Sequence, residues 1–278
     1  MYLTRHLDEG SPRWALDGQY LPPTFSLAGL LRLPGADIAR RLQAHTLSGA
    51  AAGVLLPPLE HDHEVWAAGV TYLRSREARE AESSARDVYS RVYAAERPEL
   101  FFKAAGWRVV GHRMPIRVRG DSRWNVPEPE VTLVVNAGGE IVGFSAGNDV
   151  SSRDIEGENP LYLPQAKVYN GSCAIGPGIV LGQAADLRDM GVAAEVLRAG
   201  RPVFAGETRT SRMKRSLEDL VSYLVRELDF PFGVFLMTGT GIVPPAEFSL
   251  APGDQVRITI GSLTLENDVE PGAGTVSR

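Results

Sequence analysis

A chain of 278 residues, 44% hydrophobic and 23% charged, is too apolar to stay disordered and long enough to bury a sizeable core in one large domain or in a main domain with a small companion. Its net charge of −5, with no long basic stripe, excludes the phosphate-neutralising surface of a nucleic-acid binder, and no apolar run approaches the length that crosses a bilayer. The charged start from Met1 to Gly10 has no signal-peptide pattern and the single cysteine, Cys173, can form no internal disulfide, so a cytoplasmic protein without leader or anchor is expected.

From Met1 onward, short apolar pieces are broken by Gly10, Pro12, Pro22-Pro23 and Pro57-Pro58, with one helical stretch near Ile38 to Gln43. This texture predicts a small N-terminal domain over residues 1–63, joined through the polar, proline-led run from Pro57 to Glu64 to a main domain over residues 64–278. His61 and His63 flank Asp62 in that run and are read as solvated linker residues rather than as a second metal site. A short strand from Val65 leads through Gly69-Val70-Thr71-Tyr72 into a charged helix expected from about Arg74 to Tyr93, whose alternating Arg and Glu read as a solvated face. A further strand covers Glu96 to Lys103. Phe101 and Phe102 are assigned to core packing, whereas Lys103, closing an apolar strand, could bind a substrate carboxylate with Glu99 held near it. Arg117, Arg119, Arg123 and His112 follow and are read mostly as surface residues.

The stretch from Trp124 to Val180 holds acids at spacings that a plain structural strand does not need. Glu128 and Glu130 are two apart, so on an extended segment both carboxylates point to one side. Val131 to Asn136, a Gly138-Gly139 turn and Glu140 to Gly147 predict an antiparallel hairpin, which returns the chain and delivers Asp149 beside the two glutamates. Three carboxylates in one place repel unless a hard cation neutralises them, which points to Mg²⁺, with Mn²⁺ or Ca²⁺ as alternatives. Beyond the acids, Val192 to Arg198 and Pro202 to Phe204 predict a hairpin around Ala199-Gly200-Arg201. Ser216-Leu217-Glu218-Asp219 has the form of a capping box opening a helix that runs through Leu228 and ends before Pro231. Gly233 to Met237 reads as a buried strand that delivers Thr238-Gly239-Thr240-Gly241, a loop whose glycines let the backbone approach a ligand and whose Thr240 offers a hydroxyl. Two last strands, Gln255 to Ile260 and Leu263 to Val269, complete a sheet-rich domain.

The order of these motifs resembles the fumarylacetoacetate hydrolase family over roughly Trp66 to Val269. The resemblance rests on the Glu-x-Glu at 128 and 130, the run Asn148-Asp149-Val150-Ser151-Ser152-Arg153-Asp154, Lys167-Val168-Tyr169 and Ile175-Gly176-Pro177. It implies an α+β, mainly β fold, a mixed β-sandwich or roll with a small N-terminal domain, and Glu128, Glu130 and Asp149 as metal ligands. Homo-oligomers, dimers or tetramers, are common in such a family. Many family hydrolases carry a Gly-x-Asn-Tyr-x-x-His-x-x-Glu pattern whose His and Glu activate water for carbon–carbon cleavage. Aligned on Tyr72, this chain has Ser75 and Ala78 in those places.

A divalent cation on three carboxylates leaves room for the carboxylate and ketone oxygens of a 2-oxo acid, whose polarised C2 carbonyl acidifies C3 and stabilises an enolate. Hydrolytic cleavage of a diketone then needs a base that makes hydroxide, whereas loss of a β-hydroxyl needs only a base for C3 and an acid for the departing hydroxyl. Without the water-activating pair, the resemblance is to the family's dehydratases, which convert 2-keto-3-deoxy-pentonates into 2-oxoglutarate semialdehyde. It implies Lys167 beside the 2-oxo acid, Glu99 and Lys103 as acid–base candidates, and Thr71, Tyr72, Ser75 and Thr240 as substrate contacts. The alternatives are an acylpyruvate-type hydrolase using another base, and a non-catalytic protein that binds metal and 2-oxo acids.

Overall fold

The computed structural model describes residues 1–82 and 86–272 and is mainly β. Its long sheet runs, in hydrogen-bonded order, Ser48–Ala50, Gln19–Tyr20, Ser11–Leu16, Tyr2–Asp8, Cys173–Leu181, Ile141–Asp149, Pro129–Val135, Val234–Met237, Glu64–Gly69 and Glu99–Ala105, with Val54–Leu56 also pairing Tyr2–Asp8. A second sheet orders Arg201–Arg209, Gly191–Arg198, Asp254–Ile260, Leu263–Pro271 and Ile116–Val118.

Alternation along the central strands explains how the layers stack. Val131, Leu133 and Val135 enter the core shared with Val256, Ile258 and Leu265 of the second sheet, while Val134 enters a core on the other side with Leu27, Leu31 and Phe235. Every residue of Pro129–Val135 is therefore buried, as befits a strand covered on both faces. Truncating fully buried Leu133 to alanine would cost about 2–5 kcal/mol.

Residues 1–63 extend the long sheet, because Tyr2–Asp8 pairs antiparallel with Cys173–Leu181, Leu3 opposite Ile179. The run from Pro57 to Glu64 is tied down rather than free. Glu60 accepts the backbone N–H groups of Leu27 and Ala28 and the Trp14 indole N–H, so it caps the short helix Leu27–Leu30. The solvated reading holds for exposed His61, paired with Asp62. It fails for His63, which is buried with its ring edge-on to Phe235 and its Nδ1 accepting from the Glu60 backbone. Neither belongs to a metal-capable cluster among the described residues.

The expected helix from Arg74 to Tyr93 is two helices, Leu73–Glu82 and Arg86–Ala94; residues 83–85, which the expectation also covered, lie outside the described residues. The Ser216 hydroxyl accepts from Asp219 N–H as a capping residue should, but the helix stops at Leu224 and leaves Leu228 exposed. The hairpin turn at Ala199-Gly200 has φ of 49° and 74°, the left-handed pair that matches the twist of the flanking strands.

Candidate active site

The hairpin does what its spacing predicts. Pro129 pairs with Asn148 and Glu130 with Gly147, and Asp149 N–H donates to the Glu128 carbonyl over 2.9 Å. The Glu128 N–H is in turn bound by the Asn148 side chain, which pins the bend before the strand. Carboxylate oxygens of Glu128, Glu130 and Asp149 consequently lie within 4.8 Å of one another, all three residues buried.

Around the acids stands a shell of cations. Lys167 Nζ donates to Glu128 Oε2 at 2.7 Å, Asp149 Oδ2 at 2.9 Å and Ser151 Oγ at 2.6 Å, which commits all three of its donors. Glu128 Oε1 accepts from Arg79 at 2.6 Å and from Arg153 at 2.8 Å. Arg153 and Arg79 share Glu82, and Arg79 Nε also lies 3.2 Å from Glu156. Burial opposes charge on Lys167, but Asp149, Glu128 and Glu156 outweigh it and hold the ammonium protonated. Burial likewise opposes a charged Glu128, yet Lys167, Arg79 and Arg153 bring its carboxyl well below the ordinary range. Glu130 is treated differently: burial, Asp149 and Glu128 push it well above that range, and the Gly239 N–H, 2.6 Å away, offsets only part.

The residues present fit a divalent cation. Were all six carboxylates (Glu82, Glu99, Glu128, Glu130, Asp149 and Glu156) ionised, the four cationic side chains (Arg79, Lys103, Arg153 and Lys167) would leave the buried space two positive charges short, and the acids whose ionisation is opposed, Glu130 and Glu99, are those that a bound cation would favour as carboxylates. The donors are hard oxygens, and Asp149 Oδ1, though 2.5 Å from Lys103 Nζ, makes no properly angled hydrogen bond.

A cavity of about 20 Å³ touches the triad, room for roughly one water, so a five-carbon acid enters only when its wall moves. Glu99, Lys167, Ser75 and Thr240 share that wall with the three acids. Glu99 has no hydrogen bond or ion pair among the described residues. Burial and the nearby Glu156 push its carboxyl up to about 7, against the pull of Lys167 and Arg79. The Ser75 hydroxyl donates to the Tyr72 carbonyl, and that of Thr240 is held by Ile242.

The other expected residues lie behind the wall. Lys103 is fully buried, donating to the Val150 carbonyl at 3.2 Å and to the Lys167 carbonyl, so it props Asp149 and the Lys167 backbone. Thr71 ties its hydroxyl to the Thr238 carbonyl, where Gly239, at φ 90°, comes so close that a Cβ would sit 2.0 Å from Thr71 Oγ1. Tyr72 lines a neighbouring groove with Gly241, and burial followed by Glu130 raises its phenol. His112 accepts from the Glu266 N–H, Arg119 pairs with Asp121 and Arg117 with Glu270, all apart from the cavity. None of the chain's five histidines lines it, and Ser75 and Ala78 sit buried on the first turns of Leu73–Glu82.

Three cavity residues escaped the sequence reading. Phe101, assigned to the core, lies under Lys167 Nζ at 5.7 Å from its ring centre. Arg79 was hidden in a charge run and Glu156 in a short acidic helix, Arg153–Glu158. The one available signal was Arg153 within the Asn148-to-Asp154 run, whose partner had to be an acid.

Residues 64–270 match the family described as "Fumarylacetoacetate (FAA) hydrolase C-terminal". The chain is 51% identical over 208 residues to a probable 2-keto-3-deoxyxylonate dehydratase of Haloferax volcanii, covering 74% of this chain and 72% of that protein. It is 43% identical over 205 residues to a 2-dehydro-3-deoxy-D-arabinonate dehydratase of Saccharolobus solfataricus, covering 72% of this chain and 69% of that one. A solved structure of 2-keto-3-deoxy-D-arabinonate dehydratase complexed with magnesium and 2,5-dioxopentanoate superposes with a TM-score of 0.84 at 33% identity, covering 99% of this chain and 100% of that one. With its motifs, fold and buried acid cluster in agreement, the chain belongs to the fumarylacetoacetate hydrolase family.

Proposed function

We propose that this chain is a Mg²⁺-dependent dehydratase that converts a 2-keto-3-deoxy-pentonate into 2-oxoglutarate semialdehyde. The observation that carries the reading is the composition of the cavity wall: three acids suited to a divalent cation, Lys167 and an unpartnered Glu99, with Ser75 and Ala78 where family hydrolases place a water-activating His and Glu. The named relatives act on such sugar acids, and 2,5-dioxopentanoate, held by the solved relative, is that semialdehyde.

Glu128, Glu130 and Asp149 would hold the cation, which when bound supplies Lewis-acid polarisation of the substrate's C2 carbonyl. Lys167, with every donor committed and its charge held, acts as a fixed positive charge beside the negative charge that develops when C3 loses its proton. Glu99 takes that proton and, so protonated, hands it to the departing C4 hydroxyl, which leaves as water; the resulting enone tautomerises to the aldehyde. Lys103 keeps Asp149 and the Lys167 backbone in place, and Thr71 holds the loop that presents Gly239 to Glu130.

The test is a paired assay with Mg²⁺. Aldehyde formed from a 2-keto-3-deoxy-pentonate is followed with a semialdehyde dehydrogenase, and an acylpyruvate is followed by its ultraviolet absorbance. Aldehyde production with an inert acylpyruvate is expected. Rapid acylpyruvate cleavage without aldehyde from any 2-keto-3-deoxy acid would replace this reading with a hydrolase.

A further inference from the structure

One acid on the cavity wall has no part in the proposed reaction. Glu156 is only 5% exposed, and its two oxygens differ: Oε1 lies 3.2 Å from Arg79 Nε, while Oε2 is buried with no hydrogen-bond partner. A buried carboxylate oxygen without a protein partner is unfavourable, and in folded proteins such an atom is completed by water or by a ligand that takes the water's place.

What could complete it follows from the rest of the wall. Lys167 has spent its three donors, Arg79 serves Glu82, Glu128 and Glu156, and the Ser75 and Thr240 hydroxyls are bound to backbone. Away from the metal-binding acids, the side-chain oxygens on this wall without a hydrogen-bond partner among the described residues are acceptors, Glu156 Oε2 and the Glu99 carboxyl. A ligand seated here must bring donors to that end. A hydroxyl qualifies, whereas a second carboxylate or a plain alkyl end does not.

We infer that Glu156 is a specificity-determining residue whose Oε2 accepts a hydrogen bond from the terminal hydroxyl of the substrate, selecting hydroxylated 2-oxo acids. The inference rests on the function proposed above, which seats the 2-oxo acid end at Glu128, Glu130 and Asp149 and gives the C3 and C4 chemistry to Glu99; the hydroxyl left for Glu156 is the one on C5. Arg79 fixes the other oxygen, so the acceptor is held in position before the ligand arrives.

The experiment compares a 2-keto-3-deoxy-pentonate with 4-hydroxy-2-oxopentanoate, which keeps the C4 hydroxyl that is eliminated and lacks the one on C5. Loss of each substrate is followed with Mg²⁺ for the wild type, Glu156→Leu and Glu156→Gln, whose fold is checked by melting temperature and by the stabilisation that Mg²⁺ confers. In the wild type, kcat/KM favours the pentonate by about 10- to 100-fold, the range of a charge-assisted hydrogen bond. Glu156→Leu collapses that ratio to within about twofold, and Glu156→Gln, which keeps a neutral acceptor, leaves an intermediate ratio. Should the leucine variant not fold, an unchanged ratio in Glu156→Gln overturns the assignment. Equal turnover of both substrates by the wild type, or a full preference surviving in Glu156→Leu, overturns it too while leaving the dehydratase reading intact. If neither substrate is consumed, the dehydratase reading fails and this assignment falls with it.

Discussion

Replacing Gly69 by alanine probes Glu99 without touching it. Gly69 ends the strand Glu64–Gly69 directly opposite Glu99 in the antiparallel register. A Cβ built there would lie 2.0 Å from Glu99 Oε2 and 2.5 Å from its Cδ, where ordinary contact begins at 3.4 Å, so the carboxylate must retreat by about 1.4 Å. The obstacle is the far end of a side chain rather than backbone, and the stability cost should sit near the low end of overpacking, about 1 kcal/mol. A displacement of that size in a reacting group costs roughly 100-fold in rate, or about 2.7 kcal/mol of barrier. The assay is kcat and KM on the sugar acid, with the Mg²⁺-dependent melting shift as a check that the metal acids are undisturbed. In a double-mutant cycle, Gly69→Ala should add little once Glu99→Gln has removed the base. Wild-type turnover in Gly69→Ala, or full additivity in the cycle, would show that Glu99 does not carry the proton.

Four further outcomes follow from the charges. Glu130→Gln removes the acid whose ionisation is most opposed, so the metal-free protein should melt higher than wild type at neutral pH and lose the Mg²⁺ stabilisation, which for wild type reaches about 2.7 kcal/mol at a hundred times the dissociation constant. Glu128→Gln should instead destabilise by about 3–5 kcal/mol in thermal or urea unfolding, because it strips the shared partner from Arg79, Arg153 and Lys167. Lys167→Met should lower kcat far more than it weakens binding of pyruvate by the Mg²⁺-loaded protein, and unchanged turnover would displace the catalytic centre. Glu99, raised from 4.5 to about 7, binds its proton more tightly when folded, so its contribution to stability is complete below 4.5 and is lost as pH rises through about 7; as the base it gives kcat/KM a limb that rises with pH and levels off above about 7, and Glu99→Gln should remove both dependences.

The triad was legible because its logic is local. Alternation put Glu128 and Glu130 on one side, and a glycine turn brought back Asp149, all within one hairpin. What surrounds it was not. Arg79 sits in a run of alternating charge that looks solvated, and only the fold shows that one face of Leu73–Glu82 is pressed onto Glu128, which is 49 residues away in the chain. The acids therefore form part of a buried ionic network, in which Glu128 is the shared partner of Arg79, Arg153 and Lys167. His63 misled for a similar reason, since a polar linker gives no sign that Phe235 will cover one of its residues. The pairing of Leu3 with Ile179 joins distant segments through side chains no different from those of any other apolar strand.

The dehydration itself is open to direct observation by nuclear magnetic resonance, following ¹³C-labelled 2-keto-3-deoxy-pentonate with Mg²⁺ and the wild-type chain in D₂O. The proposed chemistry predicts a single five-carbon product, 2-oxoglutarate semialdehyde, with solvent deuterium at C3 and C4 and no turnover when a chelator is added. Signals of pyruvate and glycolaldehyde from cleavage between C3 and C4, or an unreacted sugar acid beside a hydrolysed acylpyruvate, would contradict it.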